Sequence, residues 1–322
     1  MHTWLTDQFG LAVPVVCAPM AGVSGGALAA AVSAAGGLGM IGVRPGSTPR
    51  WLAEQIDLAA VADRTYGIGL IGWGIDEQGD PLLAQVIAAR PALVSISFGD
   101  VTEHVAPLHD AGIVVAMQAG NLDEALAADA VGVDVIVARG GEGGGHGRNQ
   151  IATLPLLQEV LDAVDTPVLA AGGIGTRRGL AAVLAAGADG GWIGTAFMTC
   201  PEADTPAEAR HAVLEAGTGD TVYSRVFDLA LGLGWPPEYG GRSLSNEVTR
   251  RWLGRESELE RGGPGVVALG DQIRSAQAAG DAGFAPVYAG QSAGLVETVR
   301  SAAEVVAEFG RAVELLDRFH RA

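Results

Sequence analysis

The stretch VDVIVARGGEGGGHGRN, residues 133–149, joins an apolar run directly to a glycine-rich segment. Its first part, Val133 to Val137, is typical of a buried strand. Six glycines follow within nine residues and surround a single histidine, His146. Glycine lets the backbone approach a flat or phosphorylated ligand closely, but it costs conformational entropy on folding. The stretch therefore predicts a strand that ends in a functional loop, with a flexible surface loop and an incidental histidine as the alternative.

The composition is that of a globular protein with a large core. The chain has 322 residues, of which 48% are hydrophobic and 18% are charged, and this suits one large α/β domain or two small ones. The net charge is −17 and there is no basic run, which argues against binding to nucleic acid or to a membrane. All 20 basic residues are arginine. The absence of lysine excludes Schiff-base aldolases and pyridoxal-phosphate enzymes.

The cysteines and the first residues indicate the compartment. Cys17 and Cys200 are too few for a disulfide framework, and no Cys/His spacing suggests a metal site. The first ten residues lack the basic and apolar regions of a signal peptide, and no apolar stretch is long enough to span a membrane. We therefore expect a cytoplasmic protein without a metal ion.

Strand-like and helix-like segments alternate along the first two thirds of the chain. Strands separated by helices pair in parallel through right-handed crossovers. Eight such units favour a closed (β/α)₈ barrel, or TIM barrel, with an open doubly wound sheet as the alternative. The predicted strands are 14–18, 39–42, 66–71, 93–98, 114–118, 133–137, 168–171 and 191–195, and the predicted helices between them are 26–35, 49–62, 81–89, 104–111, 122–131, 154–164 and 178–186.

The alternation stops in the last third of the chain. We expect residues 1–202 and 286–322 to form the barrel and residues 203–285 to form a small helical subdomain, as a lid over the barrel mouth or as a contact in a homo-oligomer. Within it the pattern predicts helices over 206–216 and 245–253, the second capped by Ser245, and a short extended piece over 221–224. An amphipathic helix over 302–319 would close the barrel.

The unusual residues of the sequence follow the predicted strands, where TIM barrels have their active sites. The glycines after the seventh and eighth strands would leave backbone N–H groups free to bind a phosphate, although tight turns would give the same pattern. The residues are Pro19 and Met20 after the first strand, Gln118 at the fifth, His146 after the sixth, Gly172 and Gly173 after the seventh, and Gly194 and Thr195 at the eighth.

Five motifs, APMAG, GGEGGGHG, AAGGIG, GTAF and YAGQSAG, occur in this order and together resemble the nitronate monooxygenases, once called 2-nitropropane dioxygenases. The resemblance runs from about Val15 to Leu316. Several flavin and phosphate barrels share AGGIG, whereas the glycine loop with its histidine is far more specific. The resemblance implies an FMN-dependent TIM barrel that oxidises alkyl nitronates with O₂ to carbonyl compounds and nitrite.

The resemblance also implies roles for single residues. His146 would be the catalytic histidine, which takes the α-proton of a nitroalkane or hydrogen-bonds a nitronate. The FMN contacts would be the backbone of Ala18, Pro19 and Met20 along the ring, Gln118 at its pyrimidine edge, Gly145 in the glycine loop, Gly172, Gly173, Gly194 and Thr195 at the phosphate, and Gln291 and Ser292 in the return segment.

Some residues depart from the family pattern. Arg139 stands where an uncharged residue is frequent, and it could either stabilise negative charge in the site or pair with Glu142. Gly143 replaces an alanine, and Gly69 stands where many members carry an asparagine that contacts the flavin. Trp73 and Phe98 are candidates to line the substrate pocket.

Two other functions stay open on the sequence. One is a flavin-dependent enoyl-thioester reductase that uses NAD(P)H. The other is a barrel that binds a phosphorylated ligand without redox chemistry. Bound flavin would distinguish the two enzymes from the barrel without redox chemistry. Consumption of NAD(P)H would distinguish the reductase from the nitronate-oxidising enzyme.

Overall fold

The computed structural model describes residues 1–61, 65–75 and 80–319, so the end of the predicted helix 49–62 lies outside the described residues. Short apolar runs form the strands of the barrel, as expected from their burial on both faces. The strands are β1 (Val15–Cys17), β2 (Gly39–Gly42), β3 (Tyr66–Ile71), β4 (Leu93–Ser97), β5 (Val114–Ala119), β6 (Val135–Arg139), β7 (Gly145–His146), β8 (Val168–Ala171), β9 (Gly190–Ile193), β10 (Thr221–Ser224) and β11 (Gly241–Leu244).

Eight of these strands form a parallel sheet that closes on itself. Its order is β1-β9-β8-β6-β5-β4-β3-β2, which leaves β1 and β2 as the two ends. A parallel bridge pairs Val16 with Leu38 just before β2. The Cys17 N–H donates to the Leu38 carbonyl at 2.9 Å, and the Leu38 N–H donates to the Val15 carbonyl at 3.0 Å. The prediction of a TIM barrel is confirmed, and the open sheet is excluded.

Helices surround the barrel and fill the insert. The predicted helix 302–319 is wrong as one unit, because α15 ends at Gly310 and a second, short helix starts at Ala312. The helices are α1 (Trp4–Phe9), α2 (Gly26–Ala34), α3 (Pro49–Ala60), α4 (Pro81–Ala89), α5 (Thr102–Asp110), α6 (Leu122–Ala130), α7 (Thr153–Leu161), α8 (Arg177–Ala185), α9 (Thr195–Met198), α10 (Ala207–Glu215), α11 (Val226–Leu231), α12 (Glu247–Trp252), α13 (Glu256–Glu260), α14 (Pro264–Ala279), α15 (Ala302–Gly310) and α16 (Ala312–Leu316), with 3₁₀ turns at Gly72–Gly74, Gln291–Leu295 and Asp317–Phe319.

The interior of the barrel is packed with side chains from alternate strand positions. Helix α1 begins with a capping box formed by Thr3 and Thr6. Its Leu5 packs into this core. A Cβ on Gly190 would lie 2.6 Å from Leu5 and 2.8 Å from the Pro14 carbonyl oxygen, so this close approach requires glycine. The interior cluster consists of Leu5, Val16, Leu38, Met40, Leu93, Ala116, Val135, Val137, Leu169, Ala171 and Trp192.

Residues 203–285, here called the insert, combine five helices with two strands. Strands β10 and β11 pair antiparallel, and β11 also pairs with β7 of the glycine loop, so that Gly241 lies opposite His146. The expected helical subdomain is therefore only part of the insert, which also contains β10 and β11. The insert has a hydrophobic cluster of its own, made of Val226, Phe227, Ala230, Val248, Leu259, Leu269 and Ile273.

The N-cap of α12 differs from the prediction. Asn246, and not Ser245, caps this helix: its side chain accepts hydrogen bonds from the N–H groups of Val248 and Thr249. The Asn246 side-chain amide also donates to two backbone carbonyls further along the chain, those of Ala282 and Ala285. Because Asn246 both caps the helix and ties down this later segment, it is buried, whereas Ser245 is exposed.

Candidate active site

A cavity of about 760 Å³ opens at the carboxyl ends of the barrel strands. Its walls come from the strand ends, the glycine loop, the insert and the return segment after it. Eleven of the residues predicted from the sequence border it: Ala18, Pro19, Met20, Gln118, Gly145, His146, Gly172, Gly173, Gly194, Thr195 and Ser292. Gln291 is outside this lining, and its backbone N–H donates to the Glu142 carbonyl at 2.9 Å.

Glycines shape the end of the cavity at β8 and β9. Gly172 has φ +102° and Gly173 has φ +71°, in the region that L side chains rarely adopt. Gly194 is the N-cap residue of α9 and provides no side-chain cap. The Thr195 hydroxyl is buried and accepts from the Gly290 N–H at 3.0 Å. A helix start of this kind presents backbone N–H groups without a carboxylate, as phosphate sites of TIM barrels do.

The segment after β1 forms a second wall. The Ala18 N–H donates to the Ile193 carbonyl, and the Met20 N–H donates to the Ser24 hydroxyl at 2.6 Å. A Cβ on Gly69 would lie 2.3 Å from the ring carbons of Pro19. A side chain at position 69 is therefore incompatible with this position of Pro19, which gives a physical reason for a glycine where the family resemblance implies an asparagine.

Arg139 organises the glycine loop from within. It is buried and donates to the carbonyls of Gly143, Gly144, Gly145 and Arg148 at 2.6 to 3.2 Å. No carboxylate of the described residues lies within ion-pair distance of it. Burial, together with the positive charge of another arginine in the insert, lowers the pKa of Arg139 to about 10.

Glu142 and Arg242, the two charged residues close to Arg139, have hydrogen-bonding partners of their own. The Glu142 carboxylate accepts from the backbone N–H and the hydroxyl of Thr153, so the ion pair with Arg139 that the sequence suggested does not form. Arg242 donates to the Gly141 carbonyl at 2.7 Å and to the Asn149 side chain at 2.6 Å. Since Arg242 lies on β11, the insert and the barrel hold the glycine loop jointly.

His146 is held on three sides. Its Nε2 lies 2.8 Å from Oδ1 of Asp228, and the two side chains are only 9% and 4% exposed. The imidazole stacks on the Trp235 ring, with centroids 3.7 Å apart and planes 2° apart. The Tyr288 ring lies 5.2 Å away at a tilt of 47°. The insert and the segment after it thus define the position of a side chain that belongs to the barrel.

The sequence reasoning did not identify Asp228, Trp235 or Tyr288. One signal was present: Asp228 is the single charged residue in the apolar helix VFDLAL, and a buried carboxylate needs a hydrogen-bonding partner. Trp235 lies in a Gly/Pro-rich segment without periodicity. Tyr288 is the first residue of the YAGQSAG motif, and nothing in its spacing pairs it with His146.

Aromatic rings surround His146 and continue along the cavity. Phe98 has φ +71°, an unusual value for a residue other than glycine, and its ring packs edge-on against Trp235 at 5.1 Å and Tyr239 at 5.3 Å. Trp73 packs against Trp235 at 5.3 Å. Trp73 and Phe98 border the cavity, as the sequence suggested.

Two buried donors at the cavity have no partner among the described residues, Trp73 Nε1 and the Tyr288 hydroxyl. Burial and the negative charge of Asp228 raise the pKa of Tyr288, so the phenol keeps its proton. Both groups are thus buried donors without a partner among the described residues, and burial without a hydrogen bond is costly.

The charge of the cavity opposes the charge of the whole chain. Its described lining includes Arg44, Arg139, His146 and Arg274 but no aspartate or glutamate, although the net charge is −17. Such a cavity suits anionic ligands. Among the described residues, no cluster of His, Cys, Asp and Glu could hold a metal ion, and no helix is long and apolar enough to cross a membrane.

The two cysteines lie outside the site. Cys17 and Cys200 are both buried and unpaired. Burial raises the pKa of the Cys17 thiol and raises that of Cys200 to about 12. Both thiols are therefore protonated near neutral pH, which removes the nucleophilic form.

The chain is similar to known proteins along most of its length. The sequence profile described as nitronate monooxygenase matches residues 76–310. The nitronate monooxygenase of Paraburkholderia phytofirmans is 31% identical over 353 residues, which cover 95% of this chain and 94% of that protein. The solved nitroalkane oxidase of Streptomyces ansochromogenes is 31% identical, with a TM-score of 0.80 over 97% of this chain and 99% of the other.

A second solved structure is as similar in fold. FabK of Thermotoga maritima is 28% identical, with a TM-score of 0.84 over 99% of both chains. The match to the family profile and the identity to the Paraburkholderia enzyme agree with the glycine loop and its histidine at the barrel mouth. The protein is therefore a flavin-dependent oxidoreductase that acts on a small molecule. Fold, site and sequence together show that the chain belongs to the nitronate monooxygenase family.

Proposed function

We propose that this protein binds FMN and uses O₂ to oxidise alkyl nitronates to carbonyl compounds and nitrite. The observation that carries the proposal is the placement of His146. It borders a cavity whose described lining contains no carboxylate, and which the segment after β1 and the glycines after β8 and β9 also border. An anionic substrate and an anionic cofactor both suit these surroundings.

The residues of the cavity fit FMN. Its volume of about 760 Å³ lies within the range of roughly 300–1,000 Å³ that ligand sites occupy. Gly172, Gly173, Gly194 and Thr195 would hold the phosphate through backbone N–H groups and one hydroxyl. The segment Ala18–Met20, Gly145, Gln118 and Ser292 would contact the ring system and the ribityl chain. Bound FMN would supply the transfer of electrons from the substrate.

His146 would orient the substrate and move one proton. A neutral nitroalkane can give its α-proton to the imidazole, and the imidazolium that results can donate a hydrogen bond to a nitronate oxygen. The Trp73 N–H and the Tyr288 hydroxyl would donate to the nitro oxygens. We propose that the insert, residues 203–285, acts as a lid that keeps water from the site, because its Trp235 covers one face of the imidazole.

The first test is substrate-driven reduction of the purified enzyme, followed by a nitrite assay. Ethyl nitronate should bleach the bound flavin without air, and with air it should give nitrite. A flavin that NADPH reduces and the nitronate does not would overturn the proposal in favour of a reductase. A colourless protein that takes up no FMN would overturn it altogether.

The role of His146 is tested by His146→Asn. We expect turnover of nitroethane to fall by about 10²–10⁴, the usual contribution of a general base, and turnover of ethyl nitronate to fall much less, because the nitronate has already lost its proton. The matched control is His211→Asn, an exposed histidine on α10, which should behave as the wild type. Equal losses on both substrates would contradict the role as a base.

A further inference from the structure

Asp228 is a buried carboxylate on the insert whose only side-chain hydrogen bond among the described residues goes to His146. The distance from Oδ1 to the His146 Nε2 is 2.8 Å. The Asp228 side chain is 4% exposed, and the helix around it, VFDLAL, is otherwise apolar. An ionised carboxylate in such surroundings needs a donor. The imidazole therefore presents a proton on Nε2 to it.

We infer that Asp228 is the positioning residue that holds His146 in the tautomer with the proton on Nε2 and leaves Nδ1 as the base. The reaction that this base serves rests on the proposed function, whereas the tautomer does not. A carboxylate fixes histidine tautomers in this way in other sites, where it also stabilises the imidazolium that forms.

The imidazole ring is also held against rotation. A base can accept a proton from one fixed direction only if its ring does not turn. Trp235 stacks on one face and Tyr288 lies near the imidazole. The backbone of His146 is paired with Gly241 of β11. A Cβ on Gly241 would lie 3.4 Å from Nε2 of His146 and 2.7 Å from the Tyr288 ring, so the insert backbone approaches the imidazole on the side of Nε2.

The charged groups around His146 agree with this assignment. Asp228 on α11 and Tyr288 in the return segment are the titratable groups in contact with the imidazole. Arg139 and Arg242 are close to the glycine loop, but their guanidinium groups donate to carbonyls and to side chains of other residues. Of the described residues, Asp228 alone places a negative charge in hydrogen-bond contact with the imidazole.

The consequence for a nitroalkane is a single proton transfer. The α C–H bond breaks, its proton goes to Nδ1, and its electron pair forms the C=N bond of the nitronate while one N=O electron pair moves onto oxygen. The imidazolium that results donates from Nε2 to Asp228. A preformed nitronate needs no such step, so the contribution of Asp228 differs between the two substrates.

The tautomer is measured directly by ¹⁵N NMR of the wild-type holoenzyme labelled at histidine. The signals that disappear in His146→Asn belong to His146. We expect a protonated Nε2 and an unprotonated Nδ1 at neutral pH, and a mixture of tautomers in Asp228→Asn, because an amide can donate as well as accept. A wild-type His146 with its proton on Nδ1, or one that stays doubly protonated up to pH 8, would overturn the inference.

Kinetics with both substrates separate positioning from a purely structural effect. In Asp228→Asn with full flavin content, we expect kcat/KM for nitroethane to fall by at least about 10² and that for ethyl nitronate to change little. Glu208→Gln, which removes an exposed carboxylate on α10 of the same insert, is the matched control and should leave both values unchanged. Equal losses on both substrates, or no loss, would overturn the inference.

The two measurements also distinguish this inference from the proposed function. If the wild type turns over neither substrate, the proposed function fails, and the ¹⁵N measurement still decides the tautomer. If nitronate turnover is found and the tautomer is the wrong one, the function stands and the role of Asp228 falls. If Asp228→Asn does not retain flavin, the ¹⁵N spectrum of the wild type alone decides whether His146 carries its proton on Nε2.

Discussion

At the scale of single residues, close packing sets what the cavity wall can accept. Gly69 on β3 lies against the Pro19 ring, and a Cβ there would come within 2.3 Å of two ring carbons. Its other near neighbour is the Ser95 hydroxyl at 3.0 Å. A proline ring cannot rotate away as a long side chain can. The wall that we assign to the flavin ring therefore depends on the absence of one methyl group.

We predict that Gly69→Ala displaces Pro19 and weakens flavin binding. Overpacking of this kind costs about 1–3 kcal/mol of stability, and the purified variant should contain less flavin per chain than the wild type. Urea unfolding and the ratio of flavin to protein absorbance measure the two effects. Gly219→Ala is the matched control, since its Cβ would meet nothing within 4 Å. Wild-type stability and flavin content in Gly69→Ala would contradict this account.

The residues of the site were predictable from the sequence where they belong to local motifs. His146, the glycines and the segment after β1 follow strands, so their place at the barrel mouth follows from the topology. Asp228 approaches His146 from 82 residues away along the chain, and no periodicity encodes such a pair. The role of Arg139 depends on four carbonyls that face it only after the loop has folded.

At the scale of elements, the barrel was predictable, whereas in the insert only α10, β10 and α12 were. Each barrel strand is a short apolar run between turn residues, and its limits agree with the structure within a few residues. The insert was different because its elements depend on distant partners. Helices α11, α13 and α14 and the pairing of β11 with the glycine loop had no clear signal in the sequence. Tertiary contacts override local preference in such segments.

We predict that Asn246→Ala destabilises the insert and that Ser245→Ala does not. Asn246 caps α12 and donates to the carbonyls of Ala282 and Ala285. Loss of an N-cap costs about 0.5–2 kcal/mol, and the carbonyls left without a donor add to this cost. Surface substitutions such as Ser245→Ala stay within about 0.5 kcal/mol. Equal midpoints of urea unfolding for the two variants would contradict the assignment of the cap.

At the scale of the whole molecule, fold and charge act together at one end of the barrel. The chain carries a net charge of −17, yet the described cavity lining is free of carboxylates. The insert brings Asp228 to the imidazole and holds the glycine loop through Arg242. The same segment thus contacts both the imidazole and the glycine loop. A barrel without the insert would keep the glycines after β8 and β9, where we propose that a phosphate binds, and would lose Asp228 and Trp235 beside His146.

The last prediction concerns the glycines after β8 and β9, where we propose that the phosphate of FMN binds, because a phosphate distinguishes FMN from riboflavin. A ligand that binds only the folded protein stabilises it by about 2.7 kcal/mol at 100 times its Kd, which corresponds to roughly 5 °C in Tm for a chain of this size. We expect FMN to raise the Tm of flavin-free protein by this amount. Riboflavin at the same concentration should raise it much less, because it leaves the N–H groups at Gly172–Gly173 and Gly194–Thr195 without a phosphate.

A thermal shift assay with FMN, riboflavin and AMP measures this difference. AMP is the control for a phosphate without a flavin, and it should leave the Tm nearly unchanged, since the ring wall along Ala18–Met20 would stay empty. Equal shifts with FMN and riboflavin would show that the glycines after β8 and β9 are turns and not a phosphate site. A large shift with AMP would instead favour a barrel that binds phosphorylated ligands in general. If FMN gives a large shift and neither riboflavin nor AMP does, one molecule must occupy both the ring wall along Ala18–Met20 and the glycines after β8 and β9.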